Sequence, residues 1–302
     1  YRASTDYGRT WSAPVPRATG EKRPEGMLRR HLRGGWIHPQ SGKYIEFWTE
    51  GLLPTDNPLE GMRQWAVHYS VDGGEKRQIV QKGHTAASPL PGVTIGRNSF
   101  MLGDNTCLPL ALRDGTILLP VQITPVNPDG TLYNPAGAYT YHDAAVLRGR
   151  LRGNAIEWEL ASRIAGDPQR TTRGLVEPTL AVLRGGRILM VMRGSNDKRH
   201  DLPSHRWFSI SHDNGSTWTQ PAPWTYTNGE HFFSPSACSQ LLTHSSGRIF
   251  WLGNLLPENP KGNRPRFPFV IGEVDRGSGL LKHESVREVD TRQPGESELL
   301  TL

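Results

Sequence analysis

Short apolar runs alternate along the chain with turns that are rich in glycine and aspartate. One example is the run CLPLAL at residues 107–112, which an Asp-Gly turn joins to the run TILLPVQI at residues 116–123. Runs of this length between turn residues are typical of β-strands rather than helices. The same unit returns at residues 175–192 and at residues 234–252. The pattern therefore predicts an all-β protein built from hairpins.

The predicted strands fall into four consecutive sets of four. The first two sets are residues 36–37, 44–48, 65–69 and 78–80, then 107–112, 116–123, 141–147 and 156–162. The other two are residues 175–183, 187–192, 206–210 and 219–220, then 234–242, 248–252, 267–274 and 285–289. A repeated order of strand, tight turn, strand, long loop, strand, turn and strand is typical of the blades of a β-propeller.

A short motif repeats at the third turn of these sets. Residues 4–11 (STDYGRTW) and 211–218 (SHDNGSTW) both fit S-x-D-x-G-x-T-W, residues 70–74 keep the Ser, Asp and Gly, and residues 273–277 carry a weaker trace. The Asp side chain can accept hydrogen bonds from backbone N–H groups of the turn, and the Gly can adopt a positive φ. We interpret the motif as a structural hairpin clamp that fixes the position of each blade.

The strand count predicts a ring that is larger than this chain. Four whole blades follow the last two strands of a preceding blade, and residues 298–302 form an opening strand. Propellers close by joining their first and last blades. We therefore expect a six-bladed propeller of which this chain covers about four and a half blades, with a five-bladed ring as the runner-up. Residues 1–302 are expected to form a single domain, a fragment that lacks N- and C-terminal parts, because Tyr1 lies in mid-motif without a Met.

Composition and charge narrow the possible partners. Hydrophobic residues make up 35% of the chain, with 33 Gly, 24 Pro and 9 Trp, which suits many short strands and turns. The formal charge of +6 indicates either a solvated surface or an acidic ligand, since Arg binds carboxylates bidentately. The densest basic cluster, residues 23–33, contains no aromatic residue, so we expect no nucleic-acid partner.

Several other classes of site find little support in the sequence. Cys107 and Cys238 lie in apolar runs and are expected to be buried free thiols rather than a disulfide. No membrane insertion and no cofactor are expected, the oligomeric state is left open, and a secreted or periplasmic location is expected. A weak metal-binding hypothesis concerns the loop that contains His200, Asp201 and His205.

The repeated boxes and one further segment resemble the sialidase (neuraminidase) superfamily, also called the BNR or Asp-box repeat family. That segment is EPTLAVLRGGRILMVMR at residues 177–193. The resemblance covers essentially the whole chain in blade order. It implies an exo-acting glycoside hydrolase that acts on a terminal, acidic sugar, with a glycan or small carbohydrate as partner. In the family, three arginines bind the sugar carboxylate, a tyrosine with a glutamate base is the nucleophile, and an aspartate is the acid/base.

The resemblance transfers to this chain only in part. Glu177 matches the glutamate and Arg193 matches the second arginine. The third arginine is predicted to be Arg264 or Arg266, with Arg266 preferred because it stands beside the strand. The first arginine and the aspartate belong upstream of the first box, outside this chain.

The family tyrosine has no match on the expected strand. Residues 296–302 read ESELLTL, where Glu298 or Glu296 stands nearest to the tyrosine position. A carboxylate there would repel the carboxylate of sialic acid. Two alternatives follow: a glycosidase or lyase that uses the paired carboxylates Glu177 and Glu298 on a non-sialic glycan, and a carbohydrate-binding propeller without catalysis.

Propeller geometry adds a ring of candidate sugar-binding residues at the starts of the inner strands. These are Arg30 or His31, Asp104 or Asn105, Glu177, and His231 or Ser234. The polar triplet Tyr141-His142-Asp143 before an apolar run is a weaker candidate.

Overall fold

The fold consists of four antiparallel β-sheets that follow one another along the chain. The structure is a computed structural model that describes residues 2–15, 20–57, 59–79, 90–103 and 107–296. Apart from two single 3-10 turns at Arg184–Gly186 and His283–Ser285, these residues contain no helix. None of the described segments is a helix long and apolar enough to cross a membrane. The predicted all-β class is confirmed.

Each sheet is formed by neighbouring strands of the chain. The first sheet contains β1 (Gly20–Arg23), β2 (Gly26–Ile37), β3 (Tyr44–Leu53), β4 (Ala66–Val71) and β5 (Arg77–Gln78). The second contains β6 (Phe100–Met101), β7 (Leu110–Ala111), β8 (Ile117–Ile123), β9 (Asp143–Arg152) and β10 (Ala155–Ile164). The third contains β11 (Val176–Val182), β12 (Ile188–Arg193), β13 (Arg206–Ser211) and β14 (Ala222–Pro223). The fourth contains β15 (Gln240–Thr243), β16 (Ile249–Asn254), β17 (Phe269–Val274) and β18 (Arg287–Asp290).

Neighbouring sheets pack face to face, as the blades of a propeller do. Strand β11 contacts β8 of the second sheet and β15 of the fourth, and β4 contacts β6. Alternate residues of β8 serve two different cores: Ile117 and Leu119 join the core shared with the first sheet, whereas Leu118 joins the core shared with the third. Because successive side chains of a strand point to opposite faces, a sheet buried on both sides needs a continuous apolar run. The four sheets are therefore four blades of a β-propeller arrangement.

The first blade differs most from the sequence-based prediction. Strand β2 begins ten residues before the predicted 36–37 strand, and β1 was not predicted at all. The charged side chains of this hairpin find partners on the next strand or loop: Arg29 Nε lies 2.6 Å from Asp56, and Arg30 Nε lies 2.7 Å from Glu50. These ion pairs join the basic segment to residues distant in sequence. A local hydrophobic pattern contains no sign of such pairs, so it did not predict this hairpin.

The prediction of two strands from a preceding blade is wrong for the described residues. Residues 2–15 form no strand. They are held by the box, in which the Asp6 carboxylate accepts hydrogen bonds from the backbone N–H (2.9 Å) and the hydroxyl (2.6 Å) of Thr10. One backbone bond, from Ser12 N–H to the Ala3 carbonyl, closes the hairpin at 2.8 Å. The predicted strand at residues 298–302 lies outside the described residues.

The box at residues 211–218 makes the same clamp, although here Ser211 and Gly215 are buried. Asp213 accepts hydrogen bonds from the N–H and hydroxyl of Thr217, at 2.8 and 2.6 Å. These bonds lower the pKa of Asp213 to about 2. The indole N–H of Trp218 donates to Ser162 Oγ of the neighbouring blade at 2.9 Å. The clamp role that the sequence predicts for the motif is confirmed.

Candidate functional site

Glu177 is the second residue of β11 and lies at the edge of a cavity at one end of the four blades. Its backbone has a φ of 50°, and the ladder with β12 shifts register between Val176 and Thr179. The Glu177 N–H donates to Gln122 Oε1 of β8 at 3.1 Å. A non-glycine residue with positive φ stores strain that the surrounding structure must hold, and such residues cluster at functional sites. The strand start is therefore bent so that the carboxylate is presented at the cavity.

Close packing against a glycine fixes the position of this carboxylate. A Cβ atom on Gly103 would stand 2.6 Å from Glu177 Cγ and 2.8 Å from Gln122 Oε1. Both distances are too short for a Cβ atom at this position. The loop that follows β6 can therefore run this close to Glu177 and Gln122 only because residue 103 is a glycine.

Arg193, the last residue of β12, forms a buried ion pair with Glu177. Arg193 Nη1 lies 2.7 Å from Glu177 Oε1, and Arg193 Nε donates to Ser236 Oγ at 2.9 Å. The two side chains are only 10% and 11% exposed. The ladder explains the pairing, because Arg193 stands opposite Val176, the residue before Glu177.

The ion pair sets the charge state of Glu177. Burial opposes ionisation of this carboxyl group, but the Arg193 guanidinium beside it holds the pKa of Glu177 below its usual range. Glu177 is therefore a carboxylate at neutral pH. Its second oxygen, Oε2, is buried and has no hydrogen-bond partner among the described residues.

The cavity has a volume of about 520 Å³, a size that suits a small-molecule ligand. It draws its walls from loops and strand ends of all four blades. Its apolar and neutral lining residues are Met62, Trp65, Met101, Gly103, Gln122, Thr140, Ser195, Ser236, Gly262 and Asn263. Its aromatic and ionisable lining residues are His31, Arg33, Tyr139, His142, Arg173, Glu177, Arg193, Asp197 and Lys261.

Arg173 supplies a second strongly buried guanidinium. Its Nη2 donates to Thr140 Oγ1 at 2.7 Å, and its guanidinium carbon lies 5.4 Å from the centroid of the Tyr139 ring. Burial, together with repulsion from Arg193, lowers the pKa of Arg173 to about 10. The group still carries its charge at neutral pH, so it adds to the positive field of the cavity.

His142 is a neutral member of the lining. The ring is 1% exposed, and Nδ1 lies 3.2 Å from the hydroxyl of Thr124. Burial lowers the pKa of His142 to about 3, and the charges of Arg173 and Arg193 act in the same direction. Asp143, the next residue, pairs instead with Arg163 at 2.7 Å and does not line the cavity.

The lining therefore has an excess of positive charge. Four cationic side chains face two carboxylates, and His142 is uncharged at neutral pH. The cations are Arg33, Arg173, Arg193 and Lys261, and the carboxylates are Glu177 and Asp197. Arginine binds carboxylates through two parallel hydrogen bonds and keeps its charge. The arrangement can bind an anionic group of a small ligand beside the Glu177–Arg193 ion pair.

The structure brings together only part of the predicted site. Glu177 and Arg193 share the cavity, and the Ser234–Ser236 segment lies behind it. Arg264 and Arg266 are absent from the lining described above: Arg264 lines a separate groove, and Arg266 Nε donates to the Asn263 carbonyl at 3.1 Å. The prediction that one of them lines the cavity beside Arg193 is therefore not reproduced, since Lys261 and Asn263 are the polar residues of this loop in the lining.

Other predicted positions also find different surroundings. Arg30 pairs with Glu50, and its neighbour His31 lines the cavity instead. The ring of His231 lies 5.4 Å from that of His205, away from the cavity lining. Glu296 accepts the Gln293 N–H at 2.8 Å within a turn. Glu298, Asp104 and Asn105 lie outside the described residues.

The cysteine hypothesis is confirmed and the metal hypothesis is not. Cys107 and Cys238 are buried thiols that form no disulfide. Asp201 pairs with Arg199 at 2.7 Å rather than with a histidine. Within the part of the chain that the structure describes, no three His, Cys, Asp or Glu side chains form a group that could hold a metal ion.

Sequence analysis missed Arg173, Tyr139, Asp197 and Lys261. All four lie in loops, where no strand register indicates the direction of a side chain. Arg173 had a usable signal, since it stands four residues before Glu177 in TTRGLVEP and a strand start is the cavity end of a blade. The other three reach the cavity through contacts distant in sequence.

A family model described as a BNR repeat-like domain matches residues 83–280, which is more than half of the chain. The chain belongs to this BNR repeat-like family. Comparison of the sequence with curated proteins finds no match.

Solved structures similar to this BNR repeat-like chain include two sialidases and another glycoside hydrolase. A Hadza microbial sialidase has a TM-score of 0.59 and 14% identity over 96% of this chain and 52% of that protein. A Trypanosoma rangeli sialidase has a TM-score of 0.55 and 16% identity over 91% of this chain and 41% of that protein. A family 117 glycoside hydrolase of Zobellia galactanivorans has a TM-score of 0.54 and 13% identity over 91% of this chain and 75% of that protein. These likenesses show the fold alone, and the chain spans about half the length of the two sialidases or less.

Proposed function

We propose that this protein is an exo-acting glycoside hydrolase of sialidase type whose substrate carries a terminal, acidic sugar. One observation carries the proposal: the Glu177–Arg193 ion pair stands in a cavity with an excess of arginine and lysine, and the buried Glu177 Oε2 has no hydrogen-bond partner among the described residues. Arg193 and Arg173 would bind the acidic group of the sugar. The described neighbours include sialidases and a glycoside hydrolase, which supports a glycan as partner.

Glu177 acts in this proposal as a fixed negative charge and proton acceptor beside the anomeric carbon. A neutral nucleophile avoids repulsion from a sugar carboxylate, which is why a tyrosine with a glutamate base suits acidic sugars. Tyr139 lines the same cavity, with its ring against Arg173, so it is the tyrosine to test for this role. Replacement of Tyr139 by Phe keeps the ring and removes the hydroxyl group.

A carbohydrate-binding protein without catalysis is the second candidate. The observation in its favour is the lowered pKa of Glu177, because a carboxylate stabilised by Arg193 is a weak base. The third alternative, a glycosidase or lyase with Glu177 and Glu298 as paired carboxylates, depends on a residue outside the described part of the chain.

Hydrolysis of a panel of methylumbelliferyl glycosides separates these functions. We expect the wild-type chain to cleave the α-sialoside or a glucuronide and to leave the neutral β-galactoside intact. Glu177→Gln should lower kcat/KM at least about 100-fold, because it removes the charge and the proton acceptor together. Glu288→Gln, at an exposed position on β18, is the matched control and should leave the rate unchanged.

The outcomes of this panel distinguish a hydrolase that uses Glu177 from a carbohydrate-binding protein without catalysis. Turnover of an acidic glycoside that survives Glu177→Gln would contradict the role of Glu177. Binding of an acidic sugar without turnover of any glycoside would favour the second candidate. Loss of turnover in Tyr139→Phe with unchanged KM would support the hydroxyl as nucleophile.

We also propose that the four blades belong to a closed ring of six. The support is the four blades of the described residues together with the likeness to sialidases of which this chain covers 52% and 41%.

A further inference from the structure

Residues 256–268 form a long loop between β16 and β17, which we call the ridge loop. It separates two depressions of the surface. Lys261, Gly262 and Asn263 face the cavity that contains Glu177, whereas Lys261, Arg264 and Phe267 face a second depression on the other side. Lys261 lines both, so the two depressions adjoin at this residue.

Buried asparagine side chains hold the ridge loop in place. Asn196 Nδ2 donates to the Pro260 carbonyl, and Asn196 Oδ1 accepts the Gly262 N–H, both at 2.8 Å. Asn254 Nδ2 donates to the carbonyls of Arg266 at 2.9 Å and Pro268 at 3.1 Å. Asn196 and Asn254 are fully buried.

A third asparagine of the ridge loop itself completes this support. Asn259 Oδ1 accepts the Ser204 N–H at 2.8 Å, and Asn259 Nδ2 donates to the Leu202 carbonyl at 2.9 Å. The backbone N–H of Ser236 also donates to the Gly262 carbonyl at 2.9 Å. A loop fixed at so many points presents its outward side chains without a large ordering cost when a ligand binds.

Two of those outward side chains are cations. Lys261 and Arg264 face each other across a tight turn, with backbone bonds of 3.2 and 3.4 Å between them. Both side chains are exposed, and neither makes a hydrogen bond or an ion pair with another described residue. The rigid turn therefore carries two charges that are available to a ligand.

The second depression is a groove of about 700 Å³. Its lining is mostly apolar, with polar groups at the rim: Leu256, Pro257, Glu258, Asn259, Pro260, Lys261, Arg264, Pro265, Phe267, Pro268 and Thr291. A further guanidinium, that of Arg292, lies 5.7 Å from the centroid of the Phe267 ring. Two cations of the lining face one carboxylate, Glu258, and Arg292 adds a third cation.

We propose that this groove is a second sugar subsite, which binds the unit next to the terminal sugar when that unit carries an acidic group such as a sulfate or carboxylate. Apolar ring faces with a few convergent polar groups suit a sugar, and the excess of cations suits a negative substituent. Because Lys261 borders both depressions, one glycan chain can occupy both. The proposal rests on the proposed function of the cavity and extends it from a single acidic sugar to an acidic oligosaccharide.

Sialyllactose and sialyllactose sulfated on its galactose are the probes that test the groove. We expect the wild-type chain to prefer the sulfated compound, and we expect Arg264→Ser to lower its kcat/KM roughly 5- to 10-fold, the usual worth of one partly exposed charged hydrogen bond. Turnover of methylumbelliferyl sialoside, whose aglycone carries no acidic group for Arg264 to bind, should not change. Glu258→Gln should act in the opposite direction and strengthen the preference for sulfate.

Arg113→Ser is the matched control, since Arg113 is an exposed arginine on a turn of the second blade. An unchanged ratio of sulfated to plain sialyllactose in Arg264→Ser, with normal turnover of the aryl sialoside, would overturn the groove and leave the proposed hydrolase intact. If the wild-type chain cleaves no sialoside, calorimetry measures the affinity for each compound instead, and the ratio compared is that of the affinities for sulfated and plain sialyllactose. A ratio that falls in Arg264→Ser then supports the groove on a binding protein, and an equal ratio or no binding overturns it.

Discussion

At the scale of the residue, the cavity depends on one carboxylate whose charge is balanced within the protein. Arg193→Met would leave the Glu177 charge buried without its partner, which costs about 3–5 kcal/mol of unfolding free energy. Adding Glu177→Gln to that variant should recover most of the loss, since no unpaired charge then remains. Urea unfolding of the two single variants and the double variant measures this coupling.

A solvent-exposed ion pair provides the comparison for this set of single and double variants. Arg152 and Glu157 also form an ion pair, but their side chains are 64% and 70% exposed. Arg152→Met should cost less than about 1 kcal/mol, because solvent screens exposed pairs. Strictly additive costs for Glu177 and Arg193 would show that the two side chains do not form a coupled pair.

His142 gives the cavity a pH dependence of stability. Its pKa is lowered from 6.5 to about 3, so between these values the unfolded state binds a proton that the folded state does not. Stability therefore rises with pH through this window and falls on acidification, by up to about 1.4 kcal/mol per pH unit from this group. Urea unfolding from pH 7 to pH 4 should show a shallower loss for His142→Gln than for the wild type. Parallel losses would contradict a buried neutral histidine.

The residue scale also shows what the sequence could and could not predict. Glu177 and Arg193 were predicted because the segment at residues 177–193 resembles a blade of the sialidase superfamily, and an apolar strand leads to Arg193. Arg264 or Arg266, with Arg266 preferred, was predicted beside Arg193, but neither lines the cavity, and hydrogen bonds of Asn196 and Asn254 hold the ridge loop that carries them. Such contacts join residues far apart in sequence, and no local pattern contains them.

At the scale of the element, the two complete boxes have the same hydrogen bonds but different surroundings. Trp218 is partly buried and reaches Ser162 of the neighbouring blade, whereas Trp11 is 58% exposed. Trp218→Ala should therefore lower the free energy of unfolding by about 1–3 kcal/mol, through lost burial and the lost hydrogen bond to Ser162. Trp11→Ala should cost less than about 0.5 kcal/mol. Thermal unfolding of both variants checks this difference, and equal costs would mean that the box acts only within its own turn.

Most strands of the second, third and fourth blades were predictable because each has a continuous or alternating apolar run between turn residues. The hairpin of β1 and β2 was not, since its side chains are largely charged and it is stabilised by the ion pairs of Arg29 and Arg30. The strands expected around the first box failed for a related reason. The box closes its own turn, but a strand also needs a neighbour to complete its ladder.

At the scale of the whole molecule, the four blades converge at one end on a cavity whose charge favours an anion. That convergence explains why strands and loops distant in sequence contribute to one lining, around residues 31–33, 139–142, 173–177, 193–197 and 261–263. The blade order was predictable from the repeats. The composition of the cavity was not, because it is decided where loops of different blades meet.

The most direct test of this account compares a sugar acid with its uncharged ester. Titration calorimetry of the 302-residue chain with the methyl glycosides of sialic acid and glucuronic acid, each beside its methyl ester, isolates the contribution of the negative charge. We predict that at least one acid binds and that its ester binds roughly 10- to 100-fold more weakly, because charged hydrogen bonds to Arg173 and Arg193 are lost. Equal affinity of acid and ester would contradict the central claim that this cavity binds an acidic sugar.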